Sequence, residues 1–328
     1  MVEPVFIFSL PRSGSTMLQR ELASHPEIAT VSEPWFLLGL LLPASDDLAG
    51  ATYNYNTYRM GLEDLVAALP AGEEDWNDAM RGAAQKIYDK LAAAHGGKPR
   101  YFLDKTPRYS LAPAEIRKIF PEAPVIVVWR NPLAVAASMM STYSAGRWNL
   151  YRFVQDFEIA LPRLVEFAMS DPEDTVFVRY EDIVGGDGSQ LAEIYSFLSL
   201  ENDDCGDETG DRREAVQFQG RLGDPTGGLN REAAALGDDR WKVQFCNPLR
   251  RFWARRYLKR LGKERLGVMG YELNVLERQL AACAGWAPHL ISDTVLMTRG
   301  VCRRMFLTSM ISLQWRRMRG GQPMVDLE

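Results

Sequence analysis

Arg12, Ser13, Gly14, Ser15 and Thr16 bring a fixed cation, three hydroxyls and a glycine together directly after an apolar run from Val5 to Leu10. That run is nearly continuous, with β-branched and aromatic residues, and reads as a buried parallel strand. Pro11 and Gly14 break it, and Ser15 and Thr16 open a helix whose next turns, Met17 to Leu22, hold strong helix formers. Strand, tight turn and helix start aim backbone N–H groups and the positive end of a helix dipole at an anion, usually a phosphate. Walker A is the nearest named pattern, and the loop departs from it twice. With Gly14 as the second glycine, the first falls on Ser9 and the lysine on Ser15. Without that lysine the usual contact to a transferred γ-phosphate is missing. The loop suits a phosphate but not ordinary ATP chemistry.

Holding such a loop in place takes a sheet. Tyr101 to Asp104, Val125 to Trp129 and Thr175 to Val178 read as further strands, with a short extended piece after the His25-Pro26 turn. Helices are expected after Ser32-Glu33-Pro34, from Asp75 to His95, Ala114 to Phe120, Pro132 to Met140, Tyr151 to Met169 and Leu191 to Leu198, and again from near Leu249. Arg179 to Asp182 reads as a loop, and Ala44–Asn56, Glu201–Glu214 and Gly220–Gly237 as polar or glycine-rich segments. Alternating strands and helices predict an α/β fold, a P-loop-like, doubly wound parallel sheet with helices on both faces and helical insertions. A single domain over 1–328 is expected, its motifs between 5 and 242 and a helical extension over about 249–320.

Composition narrows the partners. The chain has 328 residues, 46% apolar and 25% charged, with 43 acidic against 38 basic side chains and a net charge of −5. No global basic field points to nucleic acid, so a phosphate-rich ligand needs a local basic cluster. The N-terminus carries no secretory pattern, and no apolar run reaches the ~18 residues that span a bilayer. Cys205, Cys246, Cys283 and Cys302 form no CxxC pair, and His25, His95 and His289 show no metal-ligand spacing. Free thiols in a reducing, cytoplasmic setting and no metal are the expectation. Between Leu296 and Gly321 stand six arginines and no acidic residue. This stretch reads either as a peripheral membrane or partner helix or as a solvated basic helix packed on the fold.

PRSGST after an apolar strand, followed by VIVVWRNPLAVAASMM, resembles the sulfotransferases that use 3′-phosphoadenosine 5′-phosphosulfate (PAPS), of bacterial type and similar to glycan and protein-tyrosine sulfotransferases. The resemblance covers Val5 to about Lys242. It implies that Arg12, Ser13, Gly14, Ser15 and Thr16 hold the 5′-phosphosulfate, and that Arg130 and Ser138, eight residues apart, hold the 3′-phosphate. It implies a catalytic base at Glu33, which could otherwise be a helix-start charge before Pro34, with His25 a weaker candidate base. Lys105 in LDKTPRYS matches the lysine that approaches the leaving oxygen, against the plainer reading of a solvated strand-end lysine. Tyr180 in VRYEDIV and Arg240 before Trp241 match residues near the nucleotide. Protein-tyrosine sulfotransferases carry a further arginine twelve residues after the first, where this chain has Thr142. The implied activity is metal-independent sulfuryl transfer to a hydroxyl of a carbohydrate or other small molecule. A P-loop kinase of a small metabolite, which predicts Mg²⁺ dependence and a Walker lysine, and a non-catalytic nucleotide-binding protein are the alternatives.

Overall fold

The computed structural model describes residues 1–41, 55–95, 97–170, 172–185, 188–201, 240–283 and 289–302. Five strands form one wholly parallel sheet: β1 (Glu3–Ser9), β2 (Ile28–Thr30), β3 (Tyr101–Lys105), β4 (Val125–Trp129) and β5 (Thr175–Arg179), in the order β2-β3-β1-β4-β5. Side chains alternate across a strand, and each face meets its own apolar cluster. Val5 and Ile7 pack with Tyr101, Leu103, Ile126 and Val128 on one face, under α1 (Ser15–Ala23). Phe6 and Phe8 pack with Phe102, Val125 and Val127 on the other. That second face carries α2 (Phe36–Leu41), α4 (Glu73–His95), α5 (Pro113–Ile119), α6 (Pro132–Ser144) and α7 (Leu161–Met169), with α3 (Tyr55–Ala68) packed on α4. Helices on both faces of a parallel sheet are what near-continuous apolar strands require.

Three local expectations change. The extended piece after His25 is a sheet strand, β2, paired at the edge with β3. Tyr151 to Met169 is not one continuous helix. A 3-10 turn at Leu150–Arg152 and a π-helical stretch at Asp156–Ala160 precede α7. Pro162 explains the change, because it has no N–H to give to the carbonyl four residues back. Arg179 to Asp182 is not a loop past β5: Tyr180–Gly185 forms a short helix, α8, tied back by a bidentate Arg179–Asp182 pair. Helix α3 was not anticipated. The segments 202–239 and 303–328, which include the acidic, glycine-rich and most of the basic stretches, lie outside the described residues.

The same alternation sends the neighbours Asp104 and Lys105 to opposite faces, both fully buried. Asp104 enters the larger cluster, where its Oδ2 accepts from the hydroxyls of Tyr88 at 2.7 Å and Tyr109 at 2.9 Å. Burial pushes its carboxyl up to about 7, against the opposing pull of both hydroxyl donors and Lys105. An unfolded Asp104 loses its proton near the ordinary 3.8, the folded one only near 7. Its contribution is therefore full below about pH 4 and lost as pH rises to 7. Wild type should lose stability relative to Asp104→Asn across that window, by at most ~1.4 kcal/mol per pH unit. Urea midpoints for the two proteins would check it, since every other carboxylate is common to both. Parallel curves would contradict the raised carboxyl.

Candidate active site

The central strand β1 is flanked by β3 and β4, whose following helices α5 and α6 lie on the face opposite α1. Chain paths leaving neighbouring strand ends toward opposite faces open a crevice at the C-terminal edge, where ligands of doubly wound sheets sit. The loop after β1 lies in it. Ser13 N donates to the Leu10 carbonyl at 3.2 Å, and the turn needs positive φ at Arg12 (68°) and Gly14 (86°). Helix α1 then starts with no side-chain cap and no acidic residue in its first turn. Its leading N–H groups and dipole end face the crevice, an arrangement that suits an anion.

The pleat puts Lys105 on the α1 side of the sheet, one residue from Asp104 on the other. Its Nζ donates to Thr16 Oγ1 at 3.1 Å and Glu33 Oε1 at 2.8 Å, with the lysine side chain only 1% exposed and the glutamate 11%. Glu33 arrives three residues past β2 and its other oxygen, Oε2, accepts from the indole of Trp35 at 3.2 Å. Trp35 N in turn donates to the hydroxyl of buried Thr106. Lys105 therefore does not point to solvent, and Glu33 is not simply a charge at a helix start.

A second knot lies beside the first. Arg12 Nε donates to Ser138 Oγ on α6 at 3.3 Å, and an Arg130 nitrogen donates to the Arg12 carbonyl at 2.8 Å. The Arg130 guanidinium lies over the Tyr180 ring, 4.2 Å from its centroid. Glu181 fixes this tyrosine's helix, its two oxygens accepting from Asn131 N at 2.9 Å and the Tyr271 hydroxyl at 2.6 Å. Loop, Arg130, Ser138 and Tyr180 thus lie together. So do Glu33 and Lys105.

His25 stands apart. It lies just past the far end of α1, where Nδ1 accepts from Glu27 N and the ring lies 5.9 Å from Tyr195. Nine residues of helix at 1.5 Å each put ~13 Å between it and the loop. Arg240 is exposed at the start of the helix Arg240–Gln244, which packs on α6 while Trp241 is buried. Trp241, Asn131, Glu181 and Tyr271 line a separate cavity of about 350 Å³. Two of its charged walls are engaged with neighbours, Arg179 with Asp182 and Glu181 with Asn131 and Tyr271. Thr106 and Glu181 carry no role in the sequence reading, though each adjoins a residue singled out there. Among the described residues no group of three or more His, Cys, Asp or Glu could hold a metal ion.

The sulfotransferase family model matches residues 4–204, and the chain belongs to that family. The chain is 35% identical over 138 residues to nodulation protein NoeE of Sinorhizobium fredii (strain NBRC 101917 / NGR234), covering 42% of this chain and 31% of that protein. Identity to protein-tyrosine sulfotransferase 2 of Gallus gallus is 24% over 204 residues, 60% of this chain and 51% of the relative. The chain thus spans about a third to a half of these relatives' lengths. Among solved structures, the sulfotransferase domain from the curacin biosynthetic pathway aligns at 23% identity with a TM-score of 0.41, over 71% of this chain and 83% of that one.

Gly14 yields a sharp expectation. A Cβ there would sit 2.2 Å from Cδ2 of Tyr180, at a φ of +86°. Gly14→Ala should cost about 1–3 kcal/mol through overpacking and a further ~1–2 kcal/mol through the left-handed backbone. Adding Tyr180→Ala should return only the overpacking part of the loss. Thermal unfolding of the single and double variants checks this. A Gly14→Ala protein as stable as wild type would show that the loop and ring do not meet.

Proposed function

We propose that this protein transfers the sulfuryl group of PAPS to a hydroxyl of a carbohydrate or other small molecule. The observation that carries the reading is the buried Lys105 ammonium, shared between Thr16 of the phosphate-type loop and the carboxylate of Glu33. Family membership and the Arg12–Ser138–Arg130 knot support it. The donor would supply an activated sulfuryl group whose departing partner is a phosphate oxygen. Ser13, Gly14, Ser15 and Thr16, with the uncapped start of α1, are positioned to hold the 5′-phosphosulfate. Arg130 offers a forked cation for the 3′-phosphate, Ser138 a hydroxyl beside it, and Tyr180 the ring that keeps the fork in plane. Arg240 is the proposed contact from the exposed side.

Glu33 takes the proton of the attacking hydroxyl as the acceptor oxygen bonds to sulfur. Lys105, already within reach of both Glu33 and the loop, follows the charge that builds on the departing oxygen, with Arg12 alongside. Such a cation contributes more in the transition state than before it. Fixed cations thereby do the neutralising that Mg²⁺ does in kinases, and turnover is expected to survive chelation by EDTA. Half-buried Trp35, whose indole bonds Glu33, and Phe36, whose ring meets Tyr88, offer apolar surface to a sugar or a small acceptor.

Two measurements test this. Calorimetry should show adenosine 3′,5′-bisphosphate binding far more tightly than AMP, with Arg130→Ala removing about 1.5–3 kcal/mol of the difference. Equal affinities in wild type would overturn the donor assignment. With ³⁵S-labelled PAPS and a panel of sugars and phenols, Glu33→Gln should lower kcat by ~10²–10⁴ while nucleotide affinity holds. Full activity in that variant would remove Glu33 from the chemistry.

No described helix is long and apolar enough to cross a membrane. Cys246, Cys283 and Cys302 are free thiols, which supports placement in a reducing cytoplasm. We further propose peripheral contact with an anionic membrane surface. The helix over 290–302 turns Asp293 inward yet leaves Ile291 84%, Val295 64% and Val301 59% exposed. Six of the chain's 38 basic residues and none of its 43 acidic ones lie between Leu296 and Gly321, so that stretch carries +6 and the remainder −11. Apolar surface followed along the chain by concentrated positive charge suits anionic lipid. Ile291→Asp with Val295→Asp should abolish co-sedimentation with phosphatidylglycerol vesicles. Wild type left in solution, or equally bound to neutral phosphatidylcholine, would refute the contact.

A further inference from the structure

Trp35 holds a backbone conformation that bulky residues avoid, with φ of +60°. Strain of this kind persists only where the surroundings over-determine it, and it gathers at functional sites. Here the surroundings can be named. Trp35 N donates to Thr106 Oγ1 at 3.2 Å, and the ring packs on the larger apolar cluster. Thr106 is fully buried, its carbonyl accepts from Tyr109 N at 2.9 Å, and the Tyr109 hydroxyl donates to Asp104. The clamp therefore runs back into the core on β3, beside Lys105.

The twist has a consequence for Glu33. Pro34 confines the Glu33 backbone to extended conformations but does not fix where its carboxylate points. Two donors fix it from opposite ends of the carboxylate, the Lys105 ammonium at Oε1 and the Trp35 indole N–H at Oε2. A carboxylate held at one oxygen can swing about that contact. Held at both, it keeps one orientation toward the crevice.

We infer that Trp35 is a positioning residue for Glu33, its indole N–H orienting the carboxylate and its strained backbone clamped by the Thr106 hydroxyl. This rests on the reading of Glu33 as the base. The contact itself does not, and the two can be tested apart. Positioning within about half an ångström is what such constellations require, so a loosened carboxylate lowers turnover without touching the nucleotide.

The test uses the full chain bound to adenosine 3′,5′-bisphosphate, with ¹⁵N-labelled tryptophan indoles observed by NMR. Trp35→Phe deletes one N–H resonance and so assigns it. That resonance should move in Glu33→Gln and in Thr106→Val, and stay near its wild-type position in Thr106→Ser, which keeps the hydroxyl. A resonance unmoved by Glu33→Gln overturns the contact. In parallel, turnover of ³⁵S-labelled PAPS is followed with water and with the acceptor panel. Trp35→Phe and Thr106→Val should lower kcat about tenfold with nucleotide Kd unchanged, Thr106→Ser should retain it, and Trp35→Phe should cost nothing further in a Glu33→Gln background. Full activity in Trp35→Phe alongside an inactive Glu33→Gln overturns the positioning role and leaves the base standing. Full activity in Glu33→Gln alongside the shifted resonance removes the base and leaves only the contact.

Discussion

A lysine ammonium almost wholly removed from water needs an anion and further acceptors around it, because an unpartnered buried charge costs several kcal/mol. Lys105 is that charge here. Thr16 at the head of α1 and Glu33 beyond β2 converge on it, so three segments distant in the chain meet at one nitrogen. The strand pleat makes the demand double. Asp104, one residue earlier, is buried on the opposite face, where its Oδ2 accepts from Tyr88 and Tyr109. The end of β3 is thus pinned above and below the sheet by polar contacts that no apolar substitute could make.

Next to this pair, two guanidinium groups come together. Arg12 and Arg130 touch through a backbone carbonyl and share their surroundings with Ser138 and Tyr180, and the first turn of α1 contains no acid. In a chain whose net charge is −5, the attraction for a phosphate-rich ligand is therefore local. Gly14 belongs to the same arrangement, since only a residue without Cβ lets the loop pass beneath the Tyr180 ring.

Helix α6 carries Ser138 into this cluster and is held at both ends. At its start Asn131 caps Leu133 N and its own N–H goes to Glu181. Past its end, Arg250 and Asp293 form a fully buried ion pair that also takes up the Gly146 carbonyl and the Trp148 amide. Removing either partner would leave an uncompensated charge in the interior, so the helix over 290–302 is bound to the fold by its inner face whatever its outer face meets.

The sequence by itself determined the parallel α/β class, four of the five strands and the phosphate-type loop. Apolar runs of strand length and a Pro-Gly break are local signals that do not depend on the rest of the chain. Arg130, Ser138, Glu33 and Lys105 were legible as positions in motifs, but not as neighbours. What tertiary structure alone decided was that Lys105 faces α1 while Asp104 faces the core, and that Trp35 bonds Thr106 through its backbone and Glu33 through its indole. These depend on strand order and on which face each pleat presents, and both are set by contacts between segments some 70 to 130 residues apart. The π-helical stretch before Pro162 and the short helix after β5 were hidden for a related reason. Each is a local backbone choice settled by a missing N–H or by an ion pair, which apolar periodicity does not record.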